Sequence, residues 1–130
     1  MAVRVLLDTH VVLWALMEPA RLSPPVHDVL RDRSTNVVVS SASAWEIATK
    51  QRLGKLDDAA DLVHHYTDHL RRLGAEELSI TSTHALTAGR FDVTHRDPFD
   101  RMLAAQSIVT GIPLVTSDPA FSQFPCGTFW

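Results

Sequence analysis

Four acidic residues stand where predicted strands end or predicted helices begin. Asp8 directly follows an apolar run, Glu46 lies in the helix after a second such run, and Asp100 opens a later helix. Asp118 follows another apolar run near the end of the chain. The carboxyl ends of parallel strands meet at one edge of a sheet, where ligands usually bind. The spacing therefore predicts an acidic pocket formed by these four side chains.

Such a pocket favours the chemistry of a hard cation. Two like charges 4 Å apart repel by about 4 kcal/mol at an effective dielectric constant of ~20, so neighbouring carboxylates need a counter-charge. Oxygen ligands without histidine or cysteine suit Mg²⁺ or Mn²⁺, which keep waters and share coordination with substrate phosphates. One or two such ions can activate water and neutralise a leaving oxygen. We therefore expect hydrolysis of a phosphate ester.

Each carboxylate also has a structural interpretation. Glu46 can close a capping box and can pair with Lys50 one turn later. Asp100 favours the helix dipole in a first turn, and Asp8 and Asp118 can be turn residues. The functional interpretation depends on all four meeting at one edge of the sheet.

A further aspartate, Asp97, leaves the third acidic position ambiguous. Asp97 directly precedes Pro98, and proline favours the first position of a helix. Asp97 is therefore predicted to be the N-cap, which leaves Asp100 free to serve as the third ligand.

The elements that must position these residues alternate between strand and helix. Apolar, β-branched runs predict buried strands at 3–7, 37–39 and 113–116, a weaker one at 78–81, and a possible edge strand in the tail. Caps and helical periodicity predict helices at 9–17, 24–31 (capped by Ser23), 43–53 (from a capping box at Ser43), 58–73 and 98–110. A further short helix, capped by Ser82 or Thr83, is predicted to reach 89. This order predicts an α/β three-layer sandwich with a central parallel sheet flanked by helices.

Composition indicates one ordinary globular domain spanning 1–130. The chain is 45% apolar and 21% charged, and its only cysteine, Cys126, has no disulfide partner. The longest early apolar run, 11–17, is shorter than the roughly 20 residues of a membrane span, so a cytoplasmic protein is expected. A net charge of −3 argues against a broad basic surface, so any nucleic acid would have to be bound by local clusters of basic residues.

Four segments of the chain resemble the PIN-domain nucleases, and most closely the VapC-type toxins of bacterial and archaeal toxin–antitoxin pairs. Residues 6–10 resemble the family's opening strand with its first aspartate, and 45–50 resemble its glutamate helix. Residues 95–106 are the most specific match, and 114–118 resemble the last acidic strand end. The likeness covers nearly the whole chain.

The resemblance implies endonucleolytic cleavage of RNA with Mg²⁺ or Mn²⁺, a homodimer, and inhibition by a small cognate antitoxin. It also makes Thr9 and Ser117 candidate hydroxyls beside the acidic residues. Basic residues that flank an acidic site can hold the RNA backbone. The candidates for that role are Lys50, Arg52, Arg96 and Arg101.

Two other interpretations are open at this point. A non-catalytic interaction module would use the carboxylates as caps and would dock a partner on the apolar helix 9–17, which contains Trp14. His65 and His69 have the spacing of a zinc-binding helix, but no glutamate follows His65 to complete a metalloprotease motif.

Overall fold

The computed structural model describes residues 3–56 and 59–130. Five strands form one sheet in the order β3-β2-β1-β4-β5, and every neighbouring pair is parallel. The strands are β1 (Val3–Leu7), β2 (Thr35–Ser40), β3 (Ala75–Leu78), β4 (Leu114–Val115) and β5 (Thr128–Phe129). The chain order reverses beside β1, and ligands of parallel sheets bind at such a switch point.

Helices occupy the connections between the strands. They are α1 (Thr9–Met17), α2 (Pro24–Arg31), α3 (Ser41–Arg52), α4 (Ala60–His64), α5 (Tyr66–Leu73), α6 (Ser82–Arg90) and α7 (Pro98–Thr110), with 3-10 helices at Pro19–Arg21 and Pro119–Gln123. Within the described ranges, no helix has both the length and the apolar character that crossing a membrane requires.

Two apolar cores lie on opposite faces of the sheet. Val5 and Leu7 of β1 pack into one core with α1, α2 and α5, whereas Leu6 packs into the other with α7. This alternation follows from the two-residue period of a strand, and burial on both sides explains the apolar runs 5–7 in β1 and 37–39 in β2. The predicted three-layer sandwich with a parallel sheet is confirmed.

The predicted capping box at Ser43 is wrong. The helix α3 begins at Ser41, and its N-cap is Ser40, whose hydroxyl accepts a hydrogen bond from the Ala42 backbone N–H at 3.0 Å. The Ser43 hydroxyl is buried and lies 2.9 Å from the Thr9 hydroxyl. The side chain that was predicted to cap α3 therefore makes a contact with α1 instead. Glu46 therefore lies in the second turn of α3.

The helix predicted over 58–73 is two helices, and position 58 lies outside the described residues. The chain bends at His65 (φ −121°, ψ 34°) between α4 and α5. His69 Nε2 lies 2.9 Å from the Asp61 carboxylate, although residues eight apart are about 12 Å apart along a straight helix. The bend allows this contact, while Leu62 and Leu70 both stay in the core as their spacing predicts.

The strand and helix cap predicted near 80 are displaced. The strand β3 ends at Leu78, and Thr81 rather than Ser82 or Thr83 is the N-cap of α6. Thr81 Oγ accepts from the His84 backbone N–H, and His84 Nδ1 accepts from the Thr81 N–H. Histidine replaces the usual glutamate or glutamine in this capping box, so the usual sequence signature is missing.

Candidate active site

Asp8 lies where β1 passes into α1. Its backbone N–H donates to the Val115 carbonyl at 3.0 Å, which extends the pairing of β1 with β4 by one residue. The side chain is buried, and its Oδ2 accepts a hydrogen bond from the Thr116 hydroxyl at 2.8 Å. Burial raises the pKa of Asp8 above its usual range, while the Thr116 bond opposes that effect. Asp8 is the N-cap of α1 by position, but its carboxylate makes no capping hydrogen bond.

Glu46 is buried on the second turn of α3. Its Oε2 accepts a hydrogen bond from Lys50 Nζ at 2.6 Å, the i to i+4 pair that the sequence predicts. Its Oε1 is buried and has no hydrogen-bond partner in the described part of the chain. A buried carboxylate oxygen without a partner is costly, so this atom fits a ligand that the polypeptide alone does not provide.

Asp100 lies in the first turn of α7. Its Oδ2 is 2.8 Å from His95 Nε2, and its side chain is 15% exposed. Burial raises the pKa of Asp100 to about 7, and the negative charges of Asp97, Asp8 and Glu46 add to the rise, while the His95 bond opposes it. The charges of Asp8 and Glu46 therefore reach Asp100, and three acidic residues from separate segments share one region.

Asp97 is the N-cap of α7, as the aspartate–proline pattern predicts. Its Oδ1 accepts hydrogen bonds from the backbone N–H groups of Phe99 at 2.9 Å and Asp100 at 3.1 Å. This role holds the first turn of α7, and with it the backbone of Asp100.

Asp118 begins the 3-10 helix Pro119–Gln123. Its Oδ1 accepts from the Ala120 N–H at 2.9 Å, and its own N–H donates to the Thr116 hydroxyl at 3.0 Å. The Thr116 hydroxyl therefore connects Asp118 to Asp8. Asp118 follows β4 at the carboxyl end of that strand, but one of its oxygens serves as a cap.

The hydroxyl that contacts Asp8 belongs to Thr116, which sequence reasoning missed. Thr9 is buried but pairs with Ser43, and Ser117 is exposed. The backbone of Thr116 still pairs with Phe129, so it extends β4 and lies beside the end of β1. A polar residue directly after the strand was the available signal, but the register of β4 on β1 is needed to interpret it.

The predicted basic residues divide into two groups. Arg52 and Arg96 are exposed, whereas Lys50 is paired with Glu46. Arg101 donates to the carbonyls of four residues between the end of α6 and the start of α7, which are Ala88, Gly89, Phe91 and His95. The guanidinium of Arg101 is occupied by the chain's own backbone, which argues against its predicted contact with RNA.

The carboxylates of the candidate site are suitable ligands for a hard cation, although they are not close enough to one another to coordinate one without some movement. Among residues 3–56 and 59–130, no group of three or more acidic, histidine or cysteine side chains is arranged to hold a metal ion as it stands. Asp8, Glu46 and Asp100 nevertheless offer only oxygen atoms, and Glu46 Oε1 has no partner. Carboxylate oxygens are the ligands that Mg²⁺ and Mn²⁺ prefer.

Comparison with known sequences identifies relatives over most of the chain. The family model described as PIN domain matches residues 5–125. Ribonuclease VapC22 of Mycobacterium tuberculosis is 30% identical over 118 residues, which cover 88% of this chain and 86% of that protein. Ribonuclease VapC16 of the same organism is 40% identical over 62 residues, which cover 48% of this chain and only 43% of that relative.

Solved structures share the same fold. A chain of the VapBC2 crystal structure from Rickettsia felis, bound to a DNA fragment from the promoter, has a TM-score of 0.68 at 14% identity and covers 97% of both chains. A domain of a functionally unknown protein from Methanocaldococcus jannaschii has a TM-score of 0.56 at 18% identity and covers 99% of this chain and 91% of that one. At these identities the likeness concerns the fold alone.

Proposed function

Because this chain belongs to the PIN domain family, we propose that it is an endoribonuclease that hydrolyses RNA phosphodiester bonds with Mg²⁺ or Mn²⁺. The observation that carries the proposal is the buried Glu46 Oε1, which has no partner among the described residues, together with Asp8 and Asp100, whose charges interact with Glu46. Asp8 and Asp100 both have raised pKa values, and perturbed acidic groups of this kind cluster at functional sites.

The structural interpretations account for only part of these carboxylates: Glu46 pairs with Lys50 and Asp118 caps a 3-10 helix, but other features stay unexplained. The Asp8 carboxylate makes no capping bond to α1, and Glu46 lies beyond the first turn of α3, where it cannot cap. Burial of the Asp8 and Glu46 carboxylates near Asp100 is unfavourable, and the contacts within the chain do not fully offset that cost. A bound cation would offset that cost.

The chain's own residues prepare the site. A Mg²⁺ or Mn²⁺ ion held by Asp8, Glu46, Asp100 and Asp118 would supply an activated water and neutralise charge on the leaving oxygen. Lys50 holds Glu46 Oε2 and leaves Oε1 free to bind. Thr116 orients the Asp8 carboxylate.

The start of α7 positions the third carboxylate. His95 fixes one oxygen of Asp100, and Asp97 holds the first turn of α7. Asp100 can therefore present its carboxylate to the site without a rearrangement of the helix backbone.

We infer that this activity belongs to the toxin of a toxin–antitoxin pair, a role supported by the names of the relatives. A small cognate antitoxin and a second copy of the chain are the partners we propose. A groove of about 250 Å³ beside α1 suits an amphipathic segment, since it is lined by apolar residues such as Trp14 and Met17 and by charged residues. The charged lining residues are Arg21, Lys55 and Glu18.

The non-catalytic alternative depended on α1 needing an external partner. Val11, Val12 and Leu13 are instead buried in the chain's own core, and the Trp14 ring packs against Trp130 at a centroid distance of 5.7 Å. The apolar character of α1 is therefore largely explained within one chain.

The test is cleavage of single-stranded RNA by purified protein in Mg²⁺, Mn²⁺ or excess EDTA. We expect cleavage only with metal, and a loss of roughly 100-fold or more in kcat for Asp8→Asn, the scale seen when electrostatic stabilisation of a transition state is removed. Asp28→Asn is a matched control because Asp28 is an exposed residue of α2. Cleavage that persists in EDTA, or in a folded Asp8→Asn variant, would overturn the proposal.

A further inference from the structure

Trp45 is a large aromatic side chain left on the surface beside the acidic residues. It directly precedes Glu46 on α3 and is 61% exposed. Tryptophan is highly buried on average, so this degree of exposure is unusual. The side chain contributes little to the core, which leaves its position beside the acidic residues to be explained.

The Phe99 ring packs against the Trp45 ring. The two ring centroids are 4.8 Å apart and the planes cross at 78°, an edge contact that restricts the indole while most of its surface remains open. Phe99 directly precedes Asp100, so each member of the pair adjoins an acidic residue of the proposed site. The aromatic pair therefore lies beside the site, on the elements that carry two of its carboxylates.

Arg52 extends the same face of α3. Seven residues are two helical turns, so Arg52 lies about 10 Å from Trp45 along the helix on nearly the same side, and its side chain is exposed. An exposed aromatic ring followed by a cation is the combination by which proteins bind single-stranded nucleic acid, because the ring stacks on a base and the cation meets a phosphate.

We propose that Trp45 is a stacking surface for one unpaired base of the RNA substrate. This inference rests on the proposed RNA cleavage. The neighbours of Trp45 on its helix face are Ser41, Ala48, Thr49 and Arg52, which are small or polar. Protein interfaces usually surround a buried aromatic anchor with a broader closely packed patch, so a base fits this surface better than a second copy of the chain.

The first experiment measures steady-state cleavage of a single-stranded RNA by wild type, Trp45→Ala and Trp45→Phe. Loss of one stacked base should raise KM by roughly 5- to 100-fold in Trp45→Ala, with kcat nearly unchanged, and Trp45→Phe should retain most of the affinity. Leu86→Ala is the control, because Leu86 is 66% exposed on α6 and should leave both constants unchanged. An unchanged KM in Trp45→Ala would overturn the inference.

The second experiment uses tryptophan fluorescence in EDTA, which separates binding from cleavage. An oligoribonucleotide of eight adenosines should quench wild type more than Trp45→Phe, in which Trp14 and Trp130 remain as internal references, and an RNA duplex should quench neither. Equal quenching of the two proteins would overturn the inference. So would a change in assembly mass on Trp45→Phe substitution, because Trp45 would then be a subunit contact.

The two proposals fail in different ways. Absence of RNA cleavage by wild type in either metal would refute the proposed function. Quenching that depends on Trp45 would still report stacking in that case, because it requires no metal and no turnover.

Discussion

At the scale of single residues, Glu46 is the clearest sign of a bound ligand. It is 2% exposed, one of its oxygens is held by Lys50, and the other is buried without a partner in the described chain. A purely structural carboxylate would be expected to have both oxygens satisfied. Asp8 and Asp100 differ from Glu46 in their hydrogen-bond partners. Glu46 contacts a lysine ammonium group, whereas Asp8 contacts the Thr116 hydroxyl and Asp100 contacts the His95 ring.

Asp97 and Asp100 should respond differently to the same substitution. Asp97→Asn keeps a side-chain oxygen for the Phe99 and Asp100 N–H groups, so much of the activity should remain, with a loss of stability of at most about 1 kcal/mol. Asp100→Asn should abolish metal-dependent cleavage while the fold persists. Cleavage assays with thermal melts check both, and a dead Asp97→Asn enzyme beside an active Asp100→Asn one would reverse the roles.

The raised pKa of Asp100 predicts a pH-dependent stability of the metal-free protein. The folded-state pKa is about 7 and the ordinary value is 3.8, so the folded protein binds this proton more tightly than the unfolded chain. The stabilisation is complete below the unfolded-state pKa and is lost as pH rises through 7. In EDTA, the free energy of unfolding should therefore be lower at pH 8 than at pH 5.5.

Asp100→Asn tests that assignment because its side chain stays neutral. In urea unfolding, the variant should be more stable than wild type at pH 8 by roughly 1–3 kcal/mol, with a smaller fall between the two pH values. Asp28→Asn, on the exposed surface of α2, should follow wild type. An equally steep fall in Asp100→Asn would assign the pH dependence to other groups, among them Asp8, whose pKa is also raised.

At the scale of elements, Arg101 is one of the side chains that hold the connection between α6 and α7, together with Gln123, which accepts from Thr94 and His95. Arg101 projects from α7 and donates to carbonyls of Ala88, Gly89, Phe91 and His95, at distances from 2.7 to 3.4 Å. The same connection carries His95, which contacts Asp100. Arg101 therefore fixes the loop that positions one carboxylate of the site.

Alanine substitutions of Arg101 and Arg96 should have different effects, the first on the stability of the protein and the second on its affinity for RNA. Arg101→Ala leaves four carbonyls without their charged donor, so we expect a loss of roughly 2–3 kcal/mol in the free energy of unfolding. Arg96→Ala removes an exposed cation, so stability should hold while RNA affinity falls and its salt dependence decreases by about one charge. Urea unfolding and binding at several salt concentrations measure the two effects. A stable Arg101→Ala variant with weakened RNA binding would show instead that Arg101 contacts the RNA backbone.

At the scale of the whole molecule, the strand order places the site. Strands β2 and β3 lie on one side of β1, and β4 and β5 lie on the other. The ends of β1 and β4 are neighbours, so Asp8 meets Thr116 across the switch point. The proposed antitoxin groove begins at His10, two residues after Asp8, so a partner bound there would lie close to the site.

Met17 offers a test of that groove with little cost to the fold. It lines the groove and is 42% exposed, so Met17→Glu should leave stability nearly unchanged while it weakens binding of the proposed antitoxin. Val109→Glu is a matched control, because Val109 is 41% exposed on α7. Co-purification and titration calorimetry measure the affinities. Unchanged affinity for Met17→Glu would place the antitoxin elsewhere on the surface.

The sequence by itself determined the features that depend on a few neighbouring residues. Ser23 and Asp97 cap α2 and α7 as predicted, each followed directly by proline. Gly74 and Gly111 end α5 and α7 in left-handed conformations, which glycine adopts without strain. The apolar runs likewise predicted β1, β2 and β4, because burial on both faces of a sheet requires continuous apolar sequence. The prediction that Asp8, Glu46, Asp100 and Asp118 lie near one edge of the sheet followed from these elements.

Only the tertiary structure decided which side chains meet. The Thr116 hydroxyl reaches Asp8 across 108 residues of sequence, Ser43 turns to Thr9 instead of capping α3, and Arg101 is taken up by loop carbonyls. Each contact joins separate segments, so it depends on strand register, helix packing or the path of a loop, none of which a local pattern specifies. Local propensity can place a carboxylate at the edge of the sheet, but the partner of each oxygen is chosen by the packing of distant segments.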